Sequence, residues 1–114
     1  MKIYIAGPYT KGDVAHNVKN AIFAGNQVAE RGHTPFIPHL THFWHLIWPH
    51  DYAFWLGQDA VWLVECDAVL RIPGDSVGAD QEIEMARGLG KIIYLSLAEV
   101  PFIVRGVEFN RKES

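Results

Sequence analysis

The chain has 114 residues, 49% hydrophobic and 20% charged, with a net charge of −3. That length supports one core, hence a single domain over residues 1–114, and the charge gives no electrostatic basis for binding a nucleic-acid polymer or an anionic membrane surface. Cys66 is the only cysteine, which excludes an intrachain disulfide and points to a reducing compartment. Met1 to Ile5 opens no signal-peptide-like segment, and no apolar run reaches the roughly 18–20 residues of a membrane span, so a cytoplasmic location is expected.

Lys2 to Ala6 is a β-branched and aromatic run stopped by Gly7-Pro8, a buried first strand. After the loop to Gly12, Asp13 is a suitable N-cap for a helix to about Arg31, with an apolar stripe through Val14, Val18, Ala21, Ile22, Gly25, Val28 and Ala29. Gly32 is placed to stop it. The loop spacing Gly7-x-x-x-x-Gly12 is not a phosphate-cradling Walker loop, because Asp13-Val14 stands where Lys and Ser/Thr are needed. Thr34 to Ile37 is a short second strand ended by Pro38. From His39 to His50 the pattern is irregular. Five of the six histidines fall between His33 and His50, and Phe43, Trp44, Trp48, Tyr52, Phe54, Trp55 and Trp62 crowd the same third of the chain.

Asp51 to Val64 reads as a helix apolar almost all round, so covered on more than one side by its own domain or another subunit. Asp59 sits on it with few polar neighbours. Ala68 to Ile72 is the third strand and Ile92 to Leu95 the fourth. Between them, Gly74 to Ala86 is a small-residue turn that opens a helix ending near Gly88 and Gly90. Val100 to Val107 is a candidate further strand, and the tail frays from about residue 108. Strands and helices alternating in this way predict a three-layer, mostly parallel, four- to five-stranded α/β sheet, flavodoxin- or Rossmann-like. In such folds ligands bind at the carboxyl ends of the strands. Gly7-Pro8-Tyr9, Pro38-His39 and Gly74 to Gly78 all fall at that edge.

Glu82 is out of place on its helix. At about 100° per residue it falls within the stripe of Ala79, Ile83, Met85, Ala86 and Leu89, whereas Glu84 faces the other way with Asp80 and Arg87. It is either a stripe-edge carboxylate bending to water or a site carboxylate. Paired with Asp59, it suits attack at the anomeric carbon of a sugar, one group acting as nucleophile and the other managing protons or holding hydroxyls. The positive end of the helix is expected to keep Glu82 ionised, and Ser76 and Gly78 could take a phosphate there. The plain alternatives are a buried hydrogen-bonding Asp59 and a simple Ser76 N-cap. His39-x-x-His42-x-x-His45 admits a metal site, core packing or the lining of a base pocket. The last fits the aromatic setting best, so no metal and no cofactor is assigned.

At these residues the chain resembles the nucleoside 2-deoxyribosyltransferase-like superfamily, which includes deoxynucleoside 5′-monophosphate N-glycosidases. Tyr4-Ile5-Ala6-Gly7-Pro8-Tyr9 is similar to its first strand and sugar-phosphate loop, and Asp59 to Asp67 to its D-x-x-W-L-x-x-A/C-D segment. Ser76-x-Gly78-x-x-x-Glu82-x-x-x-Ala86 with Leu89-Gly90-Lys91 is similar to its nucleophile helix. The resemblance implies that Glu82 is a covalent nucleophile. It implies that Asp59 contacts sugar hydroxyls and assists the leaving base, that Tyr4 and Gly7 line the sugar site, and that Ser76 and Gly78 lie at the 5′ end. Pro8, Tyr9 and His39 join these as expected substrate contacts. It further implies a small-molecule nucleoside or nucleotide partner, a five-stranded parallel sheet and a homodimer or larger assembly. Thr10 stands where the monophosphate hydrolases carry Arg, and Pro8 where they carry Ser, so Arg71, Lys11 or a neighbouring subunit would have to complete a phosphate site. The expected reaction is N-glycosidic cleavage or base exchange; the alternative is a non-catalytic nucleotide or nucleotide-sugar sensor using the same cleft.

Overall fold

The computed structural model describes residues 1–103. Strand β1 (Lys2–Ala6) forms where the sequence alternates Ile3 and Ile5 with Tyr4 and Ala6, all fully buried. Helix α1 (Val14–Glu30) follows, capped by the Asp13 carboxylate accepting from the His16 backbone N–H at 3.3 Å. Gly32 ends it with φ +96°. Strand β2 (Thr34–Phe36) pairs with β1, β3 (Ala68–Arg71) pairs with its other side, and β4 (Ile92–Tyr94) lies outside β3. All three pairings are parallel, in the order β2-β1-β3-β4.

Period-2 alternation sends the two halves of each central strand to different layers. Ile3, Ile5, Ala68 and Leu70 pack with Ala21, Ala24 and Val28 of α1, and with Val100. Tyr4, Ala6 and Val69 pack on the opposite face with Leu63 and Cys66 and with Ala79, Ile83 and Ala86. These last two groups belong to or follow α3 (Tyr52–Glu65) and belong to α4 (Val77–Gly88). The expected three-layer parallel α/β architecture is therefore what the chain adopts.

Several local expectations are corrected. The stretch expected to be irregular from His39 to His50 is regular up to Ile47: Pro38–Thr41 is a 3-10 turn and His42–Ile47 is a short helix, α2. It has no side-chain cap and no buried residue, and His, Phe and Trp are weak helix formers. Helix α3 fully buries only Leu63, and among the described residues much of its apolar surface, including Tyr52, Val61 and Trp62, stays exposed. On α4 the buried stripe is Ala79, Ile83 and Ala86; Met85 and Leu89, expected within it, lie at the surface. Among the described residues the sheet has four strands. The further strand expected over Val100 to Val107 is absent from Val100 to Ile103, and its remainder and the frayed tail lie outside the described residues.

Candidate functional site

The chain turns one way from β1 to β2 and the other way to β3, so the carboxyl ends of these strands open a crevice. It is a cleft of about 640 Å³. The loop after β1 contributes Gly7, Tyr9, Thr10 and Lys11; the turn after β2 contributes Pro38, His39 and Thr41; the start of α4 contributes Ser76 to Ala79. Helix α3 adds Tyr52, Trp55, Leu56 and Asp59, α4 adds Gln81 and Glu82, and His45 and His50 close one side. Seven of the nine residues singled out in the sequence thus line one cavity: Glu82, Asp59, Gly7, Tyr9, His39, Ser76 and Gly78.

The other two stand behind it. Tyr4 is fully buried under the sheet face, and its hydroxyl donates to Glu82 Oε2. Pro8 packs its ring where a side chain on Gly74 (φ +119°) would sit, pinning the first loop to the third, while its carbonyl accepts from His39 Nε2 at 2.9 Å. Gly7 is required by packing: a Cβ there would lie 2.3 Å from Ile72 Cγ1.

Glu82 shares the face of α4 that packs Ala79, Ile83 and Ala86 against the sheet, where it meets Tyr4. Glu84 is exposed and, among the described residues, pairs only with Arg87, at 3.6 Å. Burial pushes the Glu82 carboxyl up to about 7, against the lowering effect of the hydrogen bond from Tyr4; Asp59 adds to the rise and Arg71 opposes it. With its carboxyl at about 7, Glu82 is only partly ionised near neutral pH, rather than held ionised by the helix end as expected. Glu82 lies in the second turn of α4, where the helix field has faded, and desolvation prevails. Burial likewise pushes Asp59 up to about 6, and its carboxyl makes no hydrogen bond among the described residues. Two carboxyls that repel one another and titrate near neutrality share this end of the cleft. Burial also drives the Tyr4 phenol far up, so it stays a donor.

At the other end Ser76 caps α4, its Oγ accepting from the Ala79 N–H at 3.1 Å, so the plain N-cap reading of Ser76 holds and its O–H remains a donor. Arg71 cannot complete a phosphate site in this arrangement: its guanidinium donates to the carbonyls of Ile72 and Gly74 and pairs with Asp80 at 3.0 Å. Lys11 is the only Lys or Arg among the described lining residues, and its pair with Asp75 at 3.4 Å is exposed on both sides.

The three spaced histidines go to different partners. His39 is buried, its pKa lowered by burial, with Nε2 on Pro8 and Nδ1 without a hydrogen-bond partner among the described residues. His42 Nδ1 pairs with the Tyr9 hydroxyl at 2.7 Å, and His45 Nδ1 with Trp55 Nε1 at 2.8 Å. Among the described residues no group of three His, Cys, Asp or Glu side chains is placed to hold a metal ion. Sequence reasoning gave no individual role to Tyr52, Trp55, His50 or Gln81; the crowding of aromatics and histidines was the available signal. A second, apolar groove of about 470 Å³ runs between α3 and α4 past Ala53, Gly57, Ala60 and Met85 and also reaches Glu82.

This fold is similar to that of a solved 2-deoxyribosyltransferase from the psychrotolerant bacterium Bacillus psychrosaccharolyticus, at 23% identity and a TM-score of 0.62, covering 82% of this chain and 69% of that one. The chain thus has a nucleoside 2-deoxyribosyltransferase-like fold. The family model described as "Domain of unknown function (DUF7768)" matches residues 1–95, and the chain belongs to that family. No curated protein matches it in sequence. Among the described residues no helix is long and apolar enough to cross a membrane.

Proposed function

We propose that the chain is an enzyme that cleaves or exchanges the N-glycosidic bond of a (deoxy)nucleoside or its 5′-monophosphate. The observation that carries this reading is the meeting of Tyr4, Glu82 and Asp59 at the sheet edge: two carboxyls near neutrality, one bearing a phenol donor, in a cleft large enough for a nucleoside. An ionised Glu82 attacks C1′ as the C1′–N bond breaks, and the bonding pair passes to the base nitrogen, which takes a proton from Asp59. Water then attacks C1′ and returns a proton to Asp59, freeing the Glu82 carboxylate; in base exchange the nitrogen of a second base attacks instead. The hydrogen bond from Tyr4 stabilises the charge on Glu82 in this arrangement, although with Asp59 at about 6 and Glu82 at about 7 it is the less populated of the two singly charged forms. Ser76, Gly78 and Lys11 would receive the 5′ end.

The test is free-base release from a panel of nucleosides and monophosphates, followed by chromatography, with intact mass of the quenched protein to detect a glycosyl adduct. Release and an adduct by the wild type, both lost in Glu82→Gln, are expected. No release from any member of the panel overturns the reading and leaves the non-catalytic sensor, which predicts ligand-dependent thermal stabilisation without turnover. The uncovered apolar side chains of α2 and its C-cap (Phe43, Ile47, Trp48) and of α3 (Tyr52, Val61) support a homo-oligomer. Light scattering on the purified chain tests that, a monomer being the contrary result. The lone, buried thiol of Cys66 supports a cytoplasmic setting.

A further inference from the structure

The glycosidic mechanism leaves the aromatic and histidine-rich wall of the cleft without a task. Its centre is His45, on α2, whose ring lines the same cavity as Glu82 and Asp59. Two N–H donors converge on His45 Nδ1: the indole Nε1–H of Trp55 at 2.8 Å and the backbone N–H of His50 at 3.3 Å. A ring nitrogen that accepts carries no hydrogen, so the neutral imidazole holds its hydrogen on Nε2. That nitrogen has no hydrogen-bond partner among the described residues.

The arrangement is braced. Trp55 packs edge-on against His45 at 5.6 Å and against Trp44 at 4.9 Å, and His50 stacks on Phe54 at 3.7 Å. The Phe54 N–H is in turn capped by the Asp51 carboxylate at 2.9 Å. Trp55 and Asp59 stand four residues apart on α3 and both line the cleft, so the His45–Trp55 unit adjoins the group assigned to protonate the leaving base. Tyr52, Trp55 and Leu56 give this end flat apolar surface suited to a heterocycle, while Lys11 and the start of α4 lie with the polar lining.

We propose that His45 is a specificity-determining residue that donates a hydrogen bond from Nε2 to an acceptor atom of the leaving base, a ring nitrogen or carbonyl oxygen. Trp55 is the positioning residue that holds the tautomer. This rests on the glycosidic reading of the cleft.

The experiment uses the full chain in two arms. Long-range proton–nitrogen correlation spectra of the wild type read the tautomer without any substrate. A pyridine-type Nδ1 and a pyrrole-type Nε2 for His45 are expected, moving toward a tautomer mixture in Trp55→Phe, which keeps a ring but removes the indole donor. The reverse tautomer in the wild type overturns the proposal. In the second arm, kcat/KM is measured on 2′-deoxyinosine, 2′-deoxyadenosine, thymidine and 2′-deoxycytidine. On the nucleosides the wild type cleaves, His45→Phe is expected to lose about tenfold, and His45→Gln, which restores an N–H donor, to recover most of it. Equal activity of His45→Phe and wild type overturns the His45 assignment and leaves the glycosidic reading standing, as does equal loss in the Phe and Gln variants. A wild type that releases no base from these nucleosides or their 5′-monophosphates overturns both. Should His45→Phe fail to fold by circular dichroism, the Gln and Trp55→Phe variants and the wild-type spectra decide between the same outcomes.

Discussion

Replacing Glu82 by Gln tests the electrostatic account of the site through stability, apart from any substrate. The folded chain holds the Glu82 carboxyl at about 7, against 4.5 when solvated, because burial disfavours its charge. With the folded value raised, the native state keeps a proton that the unfolded chain has already lost. Its contribution is therefore full below about pH 4 and disappears as the pH rises through 7. A shift of this size corresponds to about 3 kcal/mol, and to about 2 kcal/mol once the partial exposure of the side chain is allowed for. Glutamine has the same shape, still accepts the Tyr4 hydrogen bond and never ionises. At pH 8 the variant should be more stable than the wild type by about 2 kcal/mol, roughly 8 °C in Tm for a domain of this size. Near pH 4 that advantage should vanish. An unpartnered amide N–H in the variant would cost the same at both values, so the pH dependence isolates the charge. Thermal unfolding by circular dichroism across this range is the assay. Equal melting at pH 8, or a gain that does not change with pH, would refute the reasoning.

The same pair sets a pH profile for kcat/KM. Activity should be bell-shaped with its maximum between about 6 and 7, falling at low pH when both carboxyls are protonated and at high pH when both are charged; a flat profile from pH 5 to 9 would contradict it. Tyr4→Phe removes a donor that lowers Glu82, the higher-titrating member of the pair, so the basic limb should move to higher pH with the fold intact, measured by the same profile. Gly7→Ala places a methyl 2.3 Å from Ile72 Cγ1 and should cost about 1–3 kcal/mol in urea unfolding; adding Ile72→Ala should recover part of the loss. Lys11→Ala should raise KM for a 5′-monophosphate more than for the matching nucleoside, and less so in high salt; an equal effect on both would place Lys11 outside the 5′ subsite.

The parts legible in the sequence were those governed by local rules. Caps at Asp13 and Ser76 and the stop at Gly32 are set by neighbouring residues, and the chain forms them where expected. The α1 stripe holds at Val18, Ala21, Gly25 and Val28, but Ile22, expected in it, is exposed and Ala24 is buried instead. The separation of Glu82 from Glu84 follows from helical geometry alone, and it holds: one meets Tyr4, the other solvent and Arg87. The convergence of Gly7, His39 and Ser76 follows from strand order. Contacts that depend on three-dimensional placement were not legible. Arg71 could pair with several neighbours, and only the path of the loop after β3 turns it to Gly74 and Asp80, away from a ligand. The stripe showed Glu82 facing inward, but how far burial raises its titration depends on packing that the sequence does not show.

Residues 38–50 were hardest for a related reason: they have little periodicity, and what orders them is rings meeting rings across the chain. Phe36 stacks on Trp62 at 5.0 Å, Trp44 meets Trp55, and His45 is fixed by a tryptophan ten residues later. Such pairs are chosen by the spacing between α2 and α3, which the sheet sets, and no local propensity encodes it. Tyr4 illustrates the other extreme. Alternation along β1 alone sends its ring to the α3–α4 layer, and the parallel pairing of Tyr4 with Val69 sets it beside the strand that leads into α4. The Tyr4–Glu82 hydrogen bond is thereby a consequence of β1–β3 register. A slip of one residue in that pairing would turn the phenol to the α1 face and leave Glu82 buried without a donor. The register that builds the core therefore also builds the site, and substitutions at Val69 that loosen β3 should weaken both together.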